Sequence, residues 1–126
     1  MWQTILIIAA AGACGTVCRY LVATAVQNLT GTTGFPWGTL AVNAFGCFLF
    51  GVIWMMAEDR LLISGYTRFV VLTGFMGAFT TFSTFAFETG QFLRDAQYGA
   101  ALANLTVQNV LGLACVFLGI ALGKML

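Results

Sequence analysis

The sequence predicts an all-α integral membrane protein of four transmembrane helices, the third interrupted mid-membrane, paired into an antiparallel dual-topology homodimer. Three observations lead there. Hydrophobic residues are 60% of the chain and charged residues 7%, where a soluble domain carries about 25% charged residues. Such a surface needs lipid as its solvent. The apolar residues fall into four stretches, each long enough for the about 20 residues that a spanning helix requires. The basic residues divide almost evenly between the two sides that four spans define. With only short loops left over, the 126 residues make one domain.

Span one covers 2–26, and its only charge is Arg19. No basic residue precedes the apolar run, so it reads as a span and not as a removable leader. The segment from Gln27 to Pro36 is polar, rich in glycine and closed by the only proline, the signature of a turn. Span two covers 37–57 and is closed by Glu58, Asp59 and Arg60. Span three covers 66–93, closed by Arg94 and Asp95; span four covers 98–123, with Lys124 at its end. Trp2, Trp37, Trp54, Tyr66 and Tyr98 lie near span ends, where an aromatic belt meets the headgroups.

An even number of spans puts both termini on one side. That side, with the second loop, holds Arg60, Arg68 and Lys124; the other holds Arg19 and Arg94. So small an excess hardly fixes which way up the chain inserts. Insertion in both orientations, and an antiparallel pair, follow from it; the alternative is one orientation winning by a small margin. The net charge is +1 and no charge run occurs, so no nucleic-acid partner is expected. The chain has no histidine and few carboxylates, which leaves it without the usual acid–base pairs of an enzyme. Cys14, Cys18, Cys47 and Cys115 all fall in apolar stretches and read as small packing residues.

Span three carries the chemistry. From Thr73 to Glu88 it reads TGFMGAFTTFSTFAFE. Gly74 and Gly77 each weaken a helix by about 1 kcal/mol. Thr80, Thr81, Ser83 and Thr84 then compete with the backbone for hydrogen bonds. An interruption between Gly77 and Thr80 is expected; a continuous helix whose hydroxyls bond back to the preceding turn is the alternative. Unwound backbone inside a bilayer persists where it is buried or lines a wet cavity, and its free carbonyls and amides can bind ions. Phe82 and Phe85 are three apart and share a face among these hydroxyls. Their ring edges are positive, so edges plus hydroxyls make a weakly attractive path for an anion, as conduction requires. Asn43 in span two offers an amide that either donates to an anion or caps a neighbouring helix. Arg19 reads as an interface anchor or as an anion-attracting vestibule. Glu88 is an intramembrane acid that caps the span, pairs with Arg19 or acts in transport. Span four adds Asn104, Thr106, Gln108 and Asn109, and a G-x-x-x-G contact at Gly119 and Gly123.

GTVCRY in span one, PWGTLAVNAFGCFLFG from Pro36 to Gly51 and TGFMGAFTTFSTFAFE from Thr73 to Glu88 resemble the Fluc (CrcB) fluoride channels along the whole chain. The resemblance implies a fluoride-selective channel that passively exports fluoride from the cytoplasm across the bacterial inner (plasma) membrane. It implies a dual-topology dimer in lipid with two pores. Phe82 and Phe85 would line the pore with Asn43, beside the hydroxyls of Thr81, Ser83 and Thr84. Gly77 and Thr80 would offer backbone carbonyls to one central structural Na⁺ per dimer. Arg19 would be the vestibule arginine. Span four departs from the family pattern: Leu113 follows Gly112 where a serine is common, leaving Gln108 as the span-four candidate for the pore. The competing readings are a proton-coupled small multidrug exporter working through Glu88 and a structural subunit of a membrane complex.

Overall fold

The structure, a computed structural model, describes residues 1–31, 34–58 and 63–126. The elements in order are α1 (Trp2–Thr30), α2 (Trp37–Glu58), α3 (Gly65–Phe69), a π-helical stretch (Val70–Met76), α4 (Gly77–Phe79), α5 (Phe82–Arg94) and α6 (Tyr98–Met125). Four of the resulting rods are long and apolar enough to cross a membrane: Trp2–Thr30, Trp37–Glu58, Gly65–Arg94 and Tyr98–Met125. No strand occurs among the described residues. Arg60 and Asp59, counted above in the second loop, lie outside the described residues, as do Thr32 and Thr33 of the 27–36 turn.

The first helix runs past the expected end at 26. Nothing in Gln27–Thr30 forbids a helix, and the stop is Gly31, which adopts the left-handed conformation (φ 61°) that glycine takes without strain. Gln27 is therefore helical and clasps the loop. Its Nε2 donates to the Phe35 carbonyl (3.2 Å), and its Oε1 accepts from the Gly38 amide (3.1 Å) at the start of α2. On the far side of α2, Ser64 caps α3 by accepting from the Thr67 amide at 3.1 Å. Arg68 there pairs with Glu58 and lies over the Trp54 ring, 4.9 Å from its centroid.

The core is small. Val42, Leu72, Met76 and Phe79 are its buried members, with Cys18, Val22 and Leu49 packed against them. α1 rests on the π-helical stretch and on α2, while α2 packs along most of α6. The α2–α6 seam is a close backbone approach. A Cβ on Gly119 would collide with the Phe48 carbonyl, and one on Gly51 with the Val116 carbonyl. Gly123 of the expected G-x-x-x-G pair meets Met55, so that motif seats α6 on α2. By contrast α1 buries one residue, Gly15. Trp2, Leu6, Val17, Tyr20 and Leu21 are all more than half exposed, an apolar surface that suits lipid or a second chain.

Candidate functional site

The third rod breaks at Thr80 and Thr81. Gly77–Phe79 is still helical, so the interruption falls at the end of the expected 77–80 window. Thr80 (φ −81°, ψ 161°) and Thr81 (φ −149°, ψ 105°) are extended, and α5 restarts at Phe82. Side chains hold the broken backbone. Thr80 Oγ1 donates to the Met76 carbonyl at 3.0 Å. Thr81 is the N-cap of α5: its Oγ1 accepts from the Thr84 amide (3.2 Å) and donates to Thr84 Oγ1 (2.7 Å). Asn43, reaching across from α2, pairs with both backbone groups of Thr81. Its Oδ1 accepts from the Thr81 amide (2.8 Å), and its Nδ2 donates to the Thr81 carbonyl (3.2 Å). Of the two roles open to Asn43 in the sequence, the structure shows the cap.

This capping releases two carbonyls. In an unbroken helix the Thr81 amide would bond the Gly77 carbonyl and the Thr84 amide the Thr80 carbonyl. Here those amides go to Asn43 Oδ1 and Thr81 Oγ1. The carbonyls assigned by resemblance to a cation are thus the ones whose helical donors are diverted, and Gly77 is at the surface of the chain.

A groove of about 290 Å³ opens on the break, lined by Asn43, Thr80, Thr81, Phe82, Phe85 and Gln108, with Cys47, Phe50 and Asn109 among its other walls. Phe82 and Phe85 meet edge to face, centroids 5.7 Å apart and planes at 66°. Phe82 is 78% exposed and Phe85 7%, so one ring stands free and the other is set in the wall. Phe85 is held from α6: Asn104 Nδ2 donates to Thr89 Oγ1 (2.9 Å), which donates to the Phe85 carbonyl (2.9 Å). Gln108, one turn along α6 from Asn104, accepts from Asn43 Nδ2 at 3.1 Å. Its own Nε2 is buried with no hydrogen-bond partner among the described residues.

Arg19 lines a neighbouring cavity of about 350 Å³ with Thr39, Thr81 and Thr84. Thr84 therefore faces the arginine side, and Ser83 is exposed and lines neither space. Glu88 does not pair with Arg19. Its Oε1 accepts from Thr39 Oγ1 at 2.6 Å, and it borders a third cavity, of about 610 Å³, with Gln27, Gln91 and Asp95. Thr39 escapes a reading of the sequence, although it lies four residues before Asn43 and so on the same face of α2. Phe92 is half-buried and lies 6.5 Å from the Phe35 ring.

Comparison with known proteins agrees with the motifs. Residues 6–120 match the family described as CrcB-like protein, Camphor Resistance (CrcB). A protein of Nitrosococcus oceani named fluoride-specific ion channel FluC is 60% identical over 126 residues, covering 100% of both chains. Proteins of the same name from Solidesulfovibrio magneticus and Geobacter sulfurreducens are 53% and 45% identical, covering 94% and 98% of this chain and of their own. With four helices among its described residues long and apolar enough to cross a membrane, the chain is a multi-pass membrane protein that belongs to the CrcB-like family.

Proposed function

We propose that the chain is a fluoride-selective channel that passively exports fluoride across the bacterial inner membrane. The observation that carries this is the groove at the helix break. It joins two phenylalanine edges, an amide with a free donor and a capped, unwound backbone, with no carboxylate among its walls. The name carried by the relatives supplies the anion. Fluoride is small and strongly hydrated, so removing its water takes several close donors and weak positive edges. A full positive charge at the same point would trap it. Hydrogen fluoride enters cells neutral and ionises in the cytoplasm; the inside-negative potential then drives the anion out without a pump. Family membership favours this over the exporter that the sequence left open, and Glu88 lies outside the groove.

The functional unit is an antiparallel dual-topology homodimer. The bare apolar face of α1 and the free-standing Phe82 ring support it, because a groove open on one side needs a second chain to become a pore. The break then lies mid-membrane, buried between two chains and lining a wet path, as exposed backbone in a bilayer must. Gly77 and Thr80 carbonyls from both chains meet one Na⁺ on the two-fold axis. Their diverted helical donors support this role, and exchange of Na⁺ for a bulky organic cation should abolish flux. Thr81, with Asn43, Phe82, Phe85 and Gln108, lines the anion path; Arg19 and Thr84 form its vestibule. The test of the function is efflux of fluoride, with chloride as control, from liposomes holding the purified protein. Equal rates for both anions, or none for fluoride, would overturn it.

A further inference from the structure

The donors around the groove can be accounted for one by one. The Thr81 amide can only donate and its carbonyl can only accept, so their bonds to Asn43 settle which end of that amide is oxygen. Asn43 Nδ2 has two hydrogens. One goes to the Thr81 carbonyl and the other to Gln108 Oε1. The Gln108 amide is thereby oriented in turn: its oxygen meets Asn43, and its nitrogen, with two hydrogens, points elsewhere. Of the other hydroxyls and amides on the groove, Thr80 Oγ1 donates to Met76 and Thr81 Oγ1 to Thr84. Asn109, which is exposed and not buried like Gln108, gives one of its two Nδ2 hydrogens to the Leu105 carbonyl at 2.7 Å. Gln108 Nε2 is buried and has no partner among the described residues, on a residue only 8% exposed.

We propose that Gln108 Nε2 is the amide that receives the dehydrated anion in this groove, and that Asn43 is the positioning residue that aims it. The proposal rests on the channel reading above. Asn43 has no hydrogen left to offer unless it releases Thr81 or Gln108. Gln108 Nε2 has already lost its water to the fold, so an anion that reaches it competes with nothing. The last torsion of a glutamine is soft, which lets the amide pivot from its tether on Asn43 toward an ion beside the Phe82 and Phe85 edges. The arrangement also explains how a chain with Leu113 after Gly112 furnishes span four with a donor.

The test is a two-by-two cycle in liposomes: native protein, Gln108→Met, Asn43→Ala and the double variant, each eluting from a sizing column like the native protein. Flux is read per folded molecule for fluoride and for chloride. Methionine matches glutamine in length and has no N–H. Gln108→Met should lower fluoride flux at least about tenfold, the worth of one hydrogen bond to an ion. Asn43→Ala should lower it at least as much in the native background, since it also uncaps Thr81, and lower it by a smaller factor in the Gln108→Met background, where the part that acts through Gln108 is already gone. Gln108→Met within twofold of native flux, or losses that multiply in the double variant, would overturn the assignment and leave the channel reading standing. No fluoride flux from the native protein would remove both.

Discussion

Asn43→Ala is the sharpest probe of how the third span is broken and held. The substitution removes the acceptor of the Thr81 amide and the donor to the Thr81 carbonyl, at 2.8 and 3.2 Å, and also frees Gln108 Oε1. Thr81 is 8% exposed, so water replaces the lost partners at its backbone poorly. An orphaned buried polar group costs about 1 to 3 kcal/mol. The two Thr81 groups are fixed to the chain and cannot turn away, whereas Gln108 can reorient. Taking about 1 to 2 kcal/mol for each fixed group gives a loss of about 2 to 4 kcal/mol. Thermal melting in detergent, followed by circular dichroism, reads the loss, and hydrogen exchange at the Thr81 amide locates it. Melting should fall, and exchange should accelerate at Thr81 more than at amides in the middle of α6. Native melting together with native exchange at Thr81 would refute the claim that Asn43 caps the break.

Phe82→Ile and Phe85→Ile should fold and lose fluoride flux at least about tenfold, since an aliphatic chain has no positive edge to offer an ion. The cost in stability should be smaller for Phe82, which is 78% exposed against 7% for Phe85. Gly119→Leu should lower the melting temperature by overpacking the α2–α6 seam, an effect of about 1 to 3 kcal/mol or more. Gly99→Ala is the control, because a Cβ there meets nothing within 4 Å. Two or three lysines added at one terminus should force a single orientation and abolish flux, and co-expression with an oppositely biased version should restore it. Flux from the forced form alone would rule out the antiparallel pair.

Much of the fold was legible because lipid imposes a simple rule. A run of about 20 apolar residues is a span, and four such runs leave little else to arrange. The ends were less legible. Gln27 to Thr30 look like a loop by composition, yet a helix continues until a residue stops it, and that residue is Gly31. The break was legible as a cluster of glycine and hydroxyl residues, but its position followed from the cap. Thr81 with Thr84 three residues on is the local signal that places it, whereas Gly77 stays helical. The π-helical stretch before it has no sequence signature of its own; Gly74 lies there against Ile8 and Ala11 of α1, a contact between distant segments. Distance in sequence also hid the partners of the polar residues. Asn43 and Gln108 were each visible as buried amides, but which donates to which depends on the Thr81 backbone between them. Likewise charge offers Arg19 as one of several roles for Glu88, while Thr39, on the face of α2 that carries Asn43, is its neighbour in space.

The central claim is that fluoride moves alone and downhill through a pore. Liposomes loaded with potassium fluoride and holding the native protein test this most directly when efflux is followed with and without a potassium ionophore. A passive anion pore carries net charge, so fluoride should leave rapidly once the ionophore is added and hardly at all before it. The rate should not depend on an imposed proton gradient beyond its effect on voltage. Full efflux without the ionophore, driven instead by a proton gradient, would show coupled transport and contradict the account.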